Sequence, residues 1–350
     1  MPSPRSAPSC RRACLHAATI SSMNLKWLTI AGALGARLAK MVAVILLIAI
    51  FNFMLVRAAP GDPALVMAGQ SGATDEAFIA RVRAEYGLDQ PLPTQLATYL
   101  GKVVRLDLGY SHRQQRTVAS AIGQRLPATL LLTLSAFAIS LVGGVVLGSL
   151  AGVRAGKLSD TLISLLALVI YATPVFWLGL MLVLLFSVQL GWLPAFGYET
   201  IGVTMSGGAA VVDKLKHLAL PAFTLGMLYL AIYARLMRSS IIEVSHQDYV
   251  KTARAKGASE SRILWRHMLR NALLPVVTMA GVQAGTLIGG SVVIETVFAW
   301  PGLGRLTYEA VLQRDYQMML GIFLVLSVLV IAFNWLTDLL YRVIDPRIKA

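Results

Sequence analysis

With 350 residues, a mean hydropathy of +0.69 and only 14% charged residues, the chain has too little polar surface for a soluble domain of its size. It reads as an integral membrane protein. A net charge of +14 would ordinarily raise nucleic acid, but Lys and Arg fall in the connections between apolar stretches, and no soluble basic domain is there to hold a duplex.

Residues 1–22, MPSPRSAPSCRRACLHAATISS, carry arginines but no apolar run of the kind a secretory leader needs. They read as a disordered tail or a misassigned extension, with a more ordinary start, MNLKWLTI, at Met23. Cys10 and Cys14 both fall there, and their C-x-x-x-C spacing matches no common metal or redox motif, so neither is given a role. A bilayer span takes roughly 20 mostly apolar residues. Six stretches qualify: 35–56, 128–152, 160–188, 218–237, 273–294 and 316–339. This assigns 23–57 to a first transmembrane helix, 58–126 to an external segment, 127–345 to a core of five further spans and 346–350 to a tail.

After the first span, Pro60, Gly61 and Pro63 in RAAPGDPALVMAG stop the helix as it leaves the membrane. Residues 74–125 then place Phe78, Val82 and Tyr86, and later Leu96, Tyr99, Leu100, Val103 and Leu106, at helical spacing among charges. This predicts a small external helical subdomain whose aromatics are core rather than ligand contacts. In the second span Thr129, Thr133, Ser135, Ser140, Gly143, Gly144 and Gly148 are small enough to let another helix approach closely. In the third, Pro174 lacks a backbone donor and should kink the helix at Thr173–Pro174 unless Thr173 or a neighbouring helix meets the freed carbonyls. A kink at mid-membrane suits a protein that opens and closes, and it also occurs in inert helices.

Cations divide the connections. Arg154 and Lys157 fill the one after the second span, and Arg235, Arg238, Lys251, Arg254, Lys256, Arg262, Arg266 and Arg270 lie in or beside the one after the fourth. Residues 187–213 have no Lys or Arg, and the connection after the fifth span has only Arg305 and Arg314. The positive-inside tendency turns the cation-rich connections to the cytoplasm and the others outward, and an even number of spans leaves both termini inside. The fifth span offers Thr278, Gly281, Gln283, Gly285, Thr286, Gly289, Gly290 and Ser291, either for close helix packing or, at Gln283 and Thr286, to line an aqueous path. Glu295 at its end is costly unless paired or wetted. It reads either as part of an outer gate with the Trp300–Pro301–Gly302 turn or as a structural hydrogen-bond partner of backbone or Arg305.

No nucleotide-binding phosphate loop is present: near Gly156–Lys157, Ala151 stands where the first Gly is needed and Leu158 where Ser or Thr should follow. H-E-x-x-H and G-x-S-x-G are also absent, and His16, His112, His217, His246 and His267 form no cluster. The reading is a non-enzyme with no catalytic residues, metal or cofactor of its own, drawing energy from elsewhere.

The stretch DYVKTARAKGASESRILWRHMLRNALLPV, residues 248–276, lies within a connection, 238–272, that is long for joining two spans. Two amphipathic runs can be drawn, 248–256 with Tyr249 and Ala253 on one face and 260–271 with Ile263, Leu264 and Met268 together. Gly257 supplies a left-handed stop between them, and Ser259 an N-cap for the second. A short helix, glycine and second helix under the membrane could insert as a knob into a partner's groove, or rest on anionic lipid as an interfacial hairpin.

These residues resemble the E-A-A-x-x-x-G loop of ABC-importer permeases. Lys251, Thr252, Ala253 and Gly257 stand at its positions, with Lys251 replacing the acidic residue and Thr252 the first alanine. The longer A-K-G-A-S and R-H-x-L-R-N-A-L-L-P pattern resembles the peptide-permease branch, as do APGDPA, TPVFWLGL with GWLPAFG, GGSVVIETVFAWPGLGRL and LYRVIDPRIK. The resemblance implies an all-α polytopic type I ABC-importer permease with about six transmembrane helices, in a bacterial inner membrane with both termini cytoplasmic. It implies a second permease subunit, two cytoplasmic ATPase subunits that bind the ATP, and an extracytoplasmic solute-binding protein. The implied solute is a di- or oligopeptide, with glutathione or chelated nickel as alternatives. By the same resemblance Lys251, Thr252, Ala253, Gly257, Ala258 and Ser259 would couple to the ATPase, with Ala253, Gly257 and Ala258 kept small for close docking. Thr173, Pro174, Gln283, Thr286, Glu295 and Trp300 would line the path or its gate. A secondary transporter, a different class, would need ion-coupling groups in the membrane, for which the spans offer little beyond Glu295 and Asp338.

Overall fold

A computed structural model describes residues 35, 39–58, 76–85, 87, 89–111, 113–203 and 205–344, with side chains except at 78, 81, 82, 85 and 338–344. The leader, APGDPA, Tyr86, the side chains of Phe78, Val82 and Asp338, and the end of LYRVIDPRIK lie outside the described residues.

The first apolar stretch forms α1 (Ala39–Ala58). Two short helices, α2 (Glu76–Glu85) and α3 (Leu92–Val104), follow, and then a two-stranded hairpin, β1 (Tyr110–Ser111) and β2 (Arg116–Thr117), the one sheet among the described residues. The aromatic at Tyr99 is core, as its spacing indicates: it stacks on Phe53 of α1 with ring centroids 5.6 Å apart, and burial pushes its phenol up to about 12. Ala49, Val103 and Leu324 form an adjoining buried cluster that fixes α3 against α1 and the last helix.

The Thr117 hydroxyl accepts the Ser120 amide and starts α4 (Val118–Val153), a 36-residue helix that begins before the second apolar stretch, so the expected boundary at 126–127 falls inside one helix. Beyond it come α5 (Leu158–Ala172) and α6 (Val175–Leu182), the latter continuing as a wider helical turn over Val183–Gln189. Pro174 does more than kink the third span: the two halves meet at 111°. As the sequence allows, Thr173 caps the break by donating its hydroxyl to the Val169 carbonyl at 2.7 Å.

The fourth span is the centre of α7 (Gly208–Ser245), and α8 (Asp248–Ala255) follows it. Then the second amphipathic run and the fifth span, expected as separate pieces, form one helix, α9 (Glu260–Val297), with a wider turn at Leu264–Met268. The chain closes with α10 (Leu303–Leu312) and α11 (Tyr316–Ile344). Among the described residues five helices are long and apolar enough to cross a bilayer, and the bent pair makes up to six. At the centre α4 and α7 lie against each other with almost no side chain between them: a Cβ at Gly144 or Gly152 would stand 2.5 Å and 2.7 Å from the Cβ atoms of Tyr233 and Ile241. The small residues of the second span serve close approach.

Candidate functional site

The first candidate surface is the turn between α8 and α9. Gly257 has φ +77°, its amide donates to the Arg254 carbonyl at 3.0 Å, and the next amide, Ala258, reaches back to Ala253 at 3.2 Å. This reciprocal pair is the Schellman ending, which needs a left-handed residue where glycine stands. Ser259 sits at the backbone N-cap position of α9, but its hydroxyl makes no capping bond, contrary to the expectation from its residue type.

Packing decides which side of α8 is available. Val250 and Ala253 are buried against Tyr233, Met237 and Ile241 of α7 and Ile263, Met268 and Ala272 of α9. Ala253 is therefore small because its own chain covers it, a correction to its expected place on the docking face. Tyr249, placed by spacing on the face of Ala253, is instead partly exposed, its hydroxyl accepting from Asn271 at 2.7 Å. Lys251, Thr252, Arg254, Lys256, Gly257 and Ser259 are exposed, and Ala258 is half-buried. Two exposed ion pairs tie the surface: Lys251 to Asp248 at 3.0 Å and Arg254 to Glu260 at 2.7 Å, the latter raising the Arg254 guanidinium further. A Cβ at Gly257 would meet nothing within 4 Å, so the constraint there is backbone conformation and open surface.

The residues expected along a path fall in three places. Thr173 and Pro174 mark the break between α5 and α6. Gln283 and Thr286 lie one turn apart on α9, where Thr286 is exposed and 3.4 Å from the Tyr229 hydroxyl of α7. The Gln283 amide oxygen is buried without a hydrogen-bond partner, a state that costs about 1–3 kcal/mol unless another group completes it. Tyr229 was not singled out from sequence; only its place beside Thr286 in space identifies it.

Glu295 and Trp300 form the third place, and both are fully buried. The Glu295 carboxylate accepts the Thr129 hydroxyl at 2.8 Å, the Ser291 hydroxyl at 3.2 Å and the Arg305 amide at 3.0 Å. The Thr129 oxygen in turn accepts the Leu303 amide at 2.7 Å, and Trp300 donates to the Ala128 carbonyl at 2.9 Å. The side chain of Arg305 closes the turn on the Ala299 carbonyl at 2.8 Å. Gly302 is required because a Cβ there would overlap the Glu295 carboxylate. Here Glu295 takes the structural reading. It joins α4, α9 and α10, and both it and Trp300 are closed off from solvent.

Residues 144–350 match the family described as binding-protein-dependent transport system inner membrane component, and residues 33–133 match the N-terminal membrane component of the same systems. The oligopeptide transport system permease protein AppB of Bacillus subtilis (strain 168) is 40% identical over 311 residues, 88% of this chain and 96% of that protein. The di/tripeptide transport system permease protein DppB of Pseudomonas aeruginosa (strain UCBPP-PA14) is 38% identical, covering 86% of this chain and 94% of the relative. A Brucella abortus (strain 2308) protein provisionally named a peptide transport system permease is 43% identical, with 89% and 97% covered. Among solved structures, the inward-facing methionine ABC transporter MetNI aligns with TM-score 0.52 at 20% identity over 65% of this chain and 97% of its own.

Proposed function

This chain belongs to the family of inner membrane components of binding-protein-dependent transport systems and is a permease subunit with the type I ABC-importer fold, and we propose that the solutes it passes are di- and oligopeptides. The observation that carries the coupling role is the α8–α9 turn. Its exposed face is continuous around Lys251, Thr252, Lys256 and Gly257, while its inner face is clamped by Val250, Ala253 and Ile263 onto the ends of α7 and α9. A push on that turn cannot be absorbed locally. It passes into α7, which the glycine row of α4 holds at backbone contact, and into α9, which carries Gln283 and Thr286.

On this reading two ATPase subunits grip the turn and its counterpart on a second, similar permease. ATP closure draws the turns together, α7 and α9 move as packed bodies, and access switches from one side of the membrane to the other. Gln283, Thr286 and Tyr229 lie on the path or its shared wall, and the second permease or the solute completes the orphan Gln283 oxygen. The break at Thr173–Pro174 gives α5 and α6 separate directions. The cation-rich α8–α9 turn faces the cytoplasm, as do both termini. The chain itself supplies no chemistry, only a change of access. The peptide assignment is supported by the names of the relatives at 38–40% identity.

The test is reconstitution in liposomes with the second permease, the ATPase subunits and the binding protein, following ATP hydrolysis and uptake with a dipeptide, a pentapeptide, glutathione and a nickel chelate in turn. Stimulation by the peptides is expected. Stimulation by glutathione or the chelate alone would replace the solute while keeping the architecture. Uptake that persists without the ATPase subunits and collapses with an uncoupler would establish a secondary transporter.

A further inference from the structure

The helix α7 is enclosed on three sides and open on the fourth. Its back lies on the glycine row of α4 through Tyr233, Ala234, Met237 and Ile241. One flank meets α5, where Ala231 packs with Ala167 and Ile170 and Arg238 donates to Asp160 at 2.8 Å. The other meets α9 through Tyr229 and Thr286. Between the flanks Leu228, Ile232, Arg235 and Ser239 follow one another at helical spacing, and none of them is buried. A guanidinium therefore stands on the same open front as the Tyr229 and Thr286 hydroxyls.

That guanidinium points up the span, away from the cytoplasm. Arg238 and Asp160 mark the inner end, next to the cationic Arg154–Lys157 connection. Arg235 is one turn above Arg238, yet its guanidinium lies 5.5 Å from the ring centroid of Tyr171, which is eleven residues beyond Asp160 on α5. Eleven helical residues rise roughly 16 Å. A long cation near the end of a span ordinarily snorkels to water at the nearer interface. This one reaches the other way, toward the break at Thr173–Pro174 and inside a hydrocarbon core of about 30 Å. Among the described residues no carboxylate or carbonyl meets it there, and Tyr171 is itself half exposed. An aromatic face steadies a cation without neutralising it. Against acyl chains such an arginine would be costly; on the wall of a wetted path it is a fixed positive charge.

We propose that Arg235 takes the terminal carboxylate of a peptide in transit, with Tyr171 holding the guanidinium in place. This rests on the peptide-permease reading above and adds to it the end of the peptide that the path recognises. Every linear di- or oligopeptide carries that carboxylate whatever its side chains, so one arginine serves solutes that share little else. The guanidinium fork meets a carboxylate with two parallel donors. From Arg235 to Tyr229 α7 rises roughly 9 Å, close to the roughly 7 Å of an extended dipeptide. A dipeptide held by its carboxylate at Arg235 therefore ends near the Tyr229 and Thr286 hydroxyls.

The test is equilibrium binding of a labelled dipeptide, as free acid and as C-terminal amide, to the complete importer in nanodiscs without its binding protein, so that only the path is read. Wild type binds the acid about ten-fold tighter than the amide. In R235Q acid binding falls to the level of the amide, while amide binding and the melting temperature are unchanged; R235K keeps part of the preference, since a point charge replaces the fork. A second readout needs no variant: phenylglyoxal modification of Arg235 in wild type, located by mass spectrometry, is slowed by the acid and not by the amide. An acid preference that survives in R235Q, equal loss of acid and amide binding, or a wild type that does not distinguish the two overturns the proposal, as does labelling of Arg235 that the acid fails to slow. A complete importer whose ATP hydrolysis no peptide-loaded binding protein stimulates would instead sink the solute reading beneath it, by an assay that does not depend on Arg235.

Discussion

The two ends of α9 are built on opposite plans. At its start, the α8 turn leaves Lys251, Thr252, Lys256 and Gly257 exposed, held by a Schellman ending and two surface ion pairs. At its finish, Glu295 is sealed among Thr129, Ser291 and the Arg305 amide, with Trp300 and Leu303 fully buried beside it. The start keeps its outer side chains in solvent, tied only by exposed pairs on its own surface, whereas the finish commits its buried polar groups to joining three helices. Substitutions should therefore separate: the buried end loses stability, the exposed end loses partners.

The sharpest break would come at Gly302→Val. The added carbon atoms overlap the Glu295 carboxylate, and overpacking of this kind costs about 1–3 kcal/mol before the displaced charge is counted. A large fall in melting temperature in detergent is expected; an unchanged one would mean the buried end is not rigid. Next, Thr129→Val removes both the hydroxyl donated to Glu295 and the oxygen that accepts the Leu303 amide. Leaving those groups unpaired should cost about 1–3 kcal/mol each. Glu295→Gln sharpens the same point, because one carboxylate oxygen becomes a donor facing donors, so stability should fall. Normal stability with altered solute preference would return Glu295 to the gate.

Gly257→Trp should divide folding from coupling. Nothing within 4 Å obstructs a side chain there, so the cost is the left-handed backbone alone, about 1–2 kcal/mol. The folded chain should survive while ATPase association and ATP-driven uptake are lost; intact uptake would remove the turn from the coupling role. Smaller still in stability is Gln283→Leu, which deletes an unsatisfied buried oxygen. Its melting temperature should hold or rise while uptake falls, and unaltered transport would take Gln283 off the path. Arg254→Ala, breaking an exposed pair with Glu260, should leave the melting temperature unchanged.

Much of this was legible in the residues. Hydropathy located the spans, Pro174 the break in the third, Gly257 the stop of α8, and four separated motifs the family. These signals are short-ranged, since a run of apolar side chains, a missing amide proton or a left-handed backbone position acts within a turn or two of itself. What the local signals could not decide was which face of a helix its own chain would cover. Tyr249 and Ala253 read as one face, and packing against α7 and α9 buried Ala253 while leaving Tyr249 partly exposed. Nor could they show that the second amphipathic run continues unbroken into the fifth span. Glu295 could be read two ways because its partner, Thr129, lies 166 residues earlier in the chain. A buried carboxylate must find donors, but only the docking of α4 against α9 and α10 determines which ones reach it. Tertiary structure likewise brought Arg235 of α7 over Tyr171 of α5. Sequence determined where the chain crosses the membrane and where its helices stop; the non-local packing of those helices decided which polar groups hold the fold and which are left for a partner.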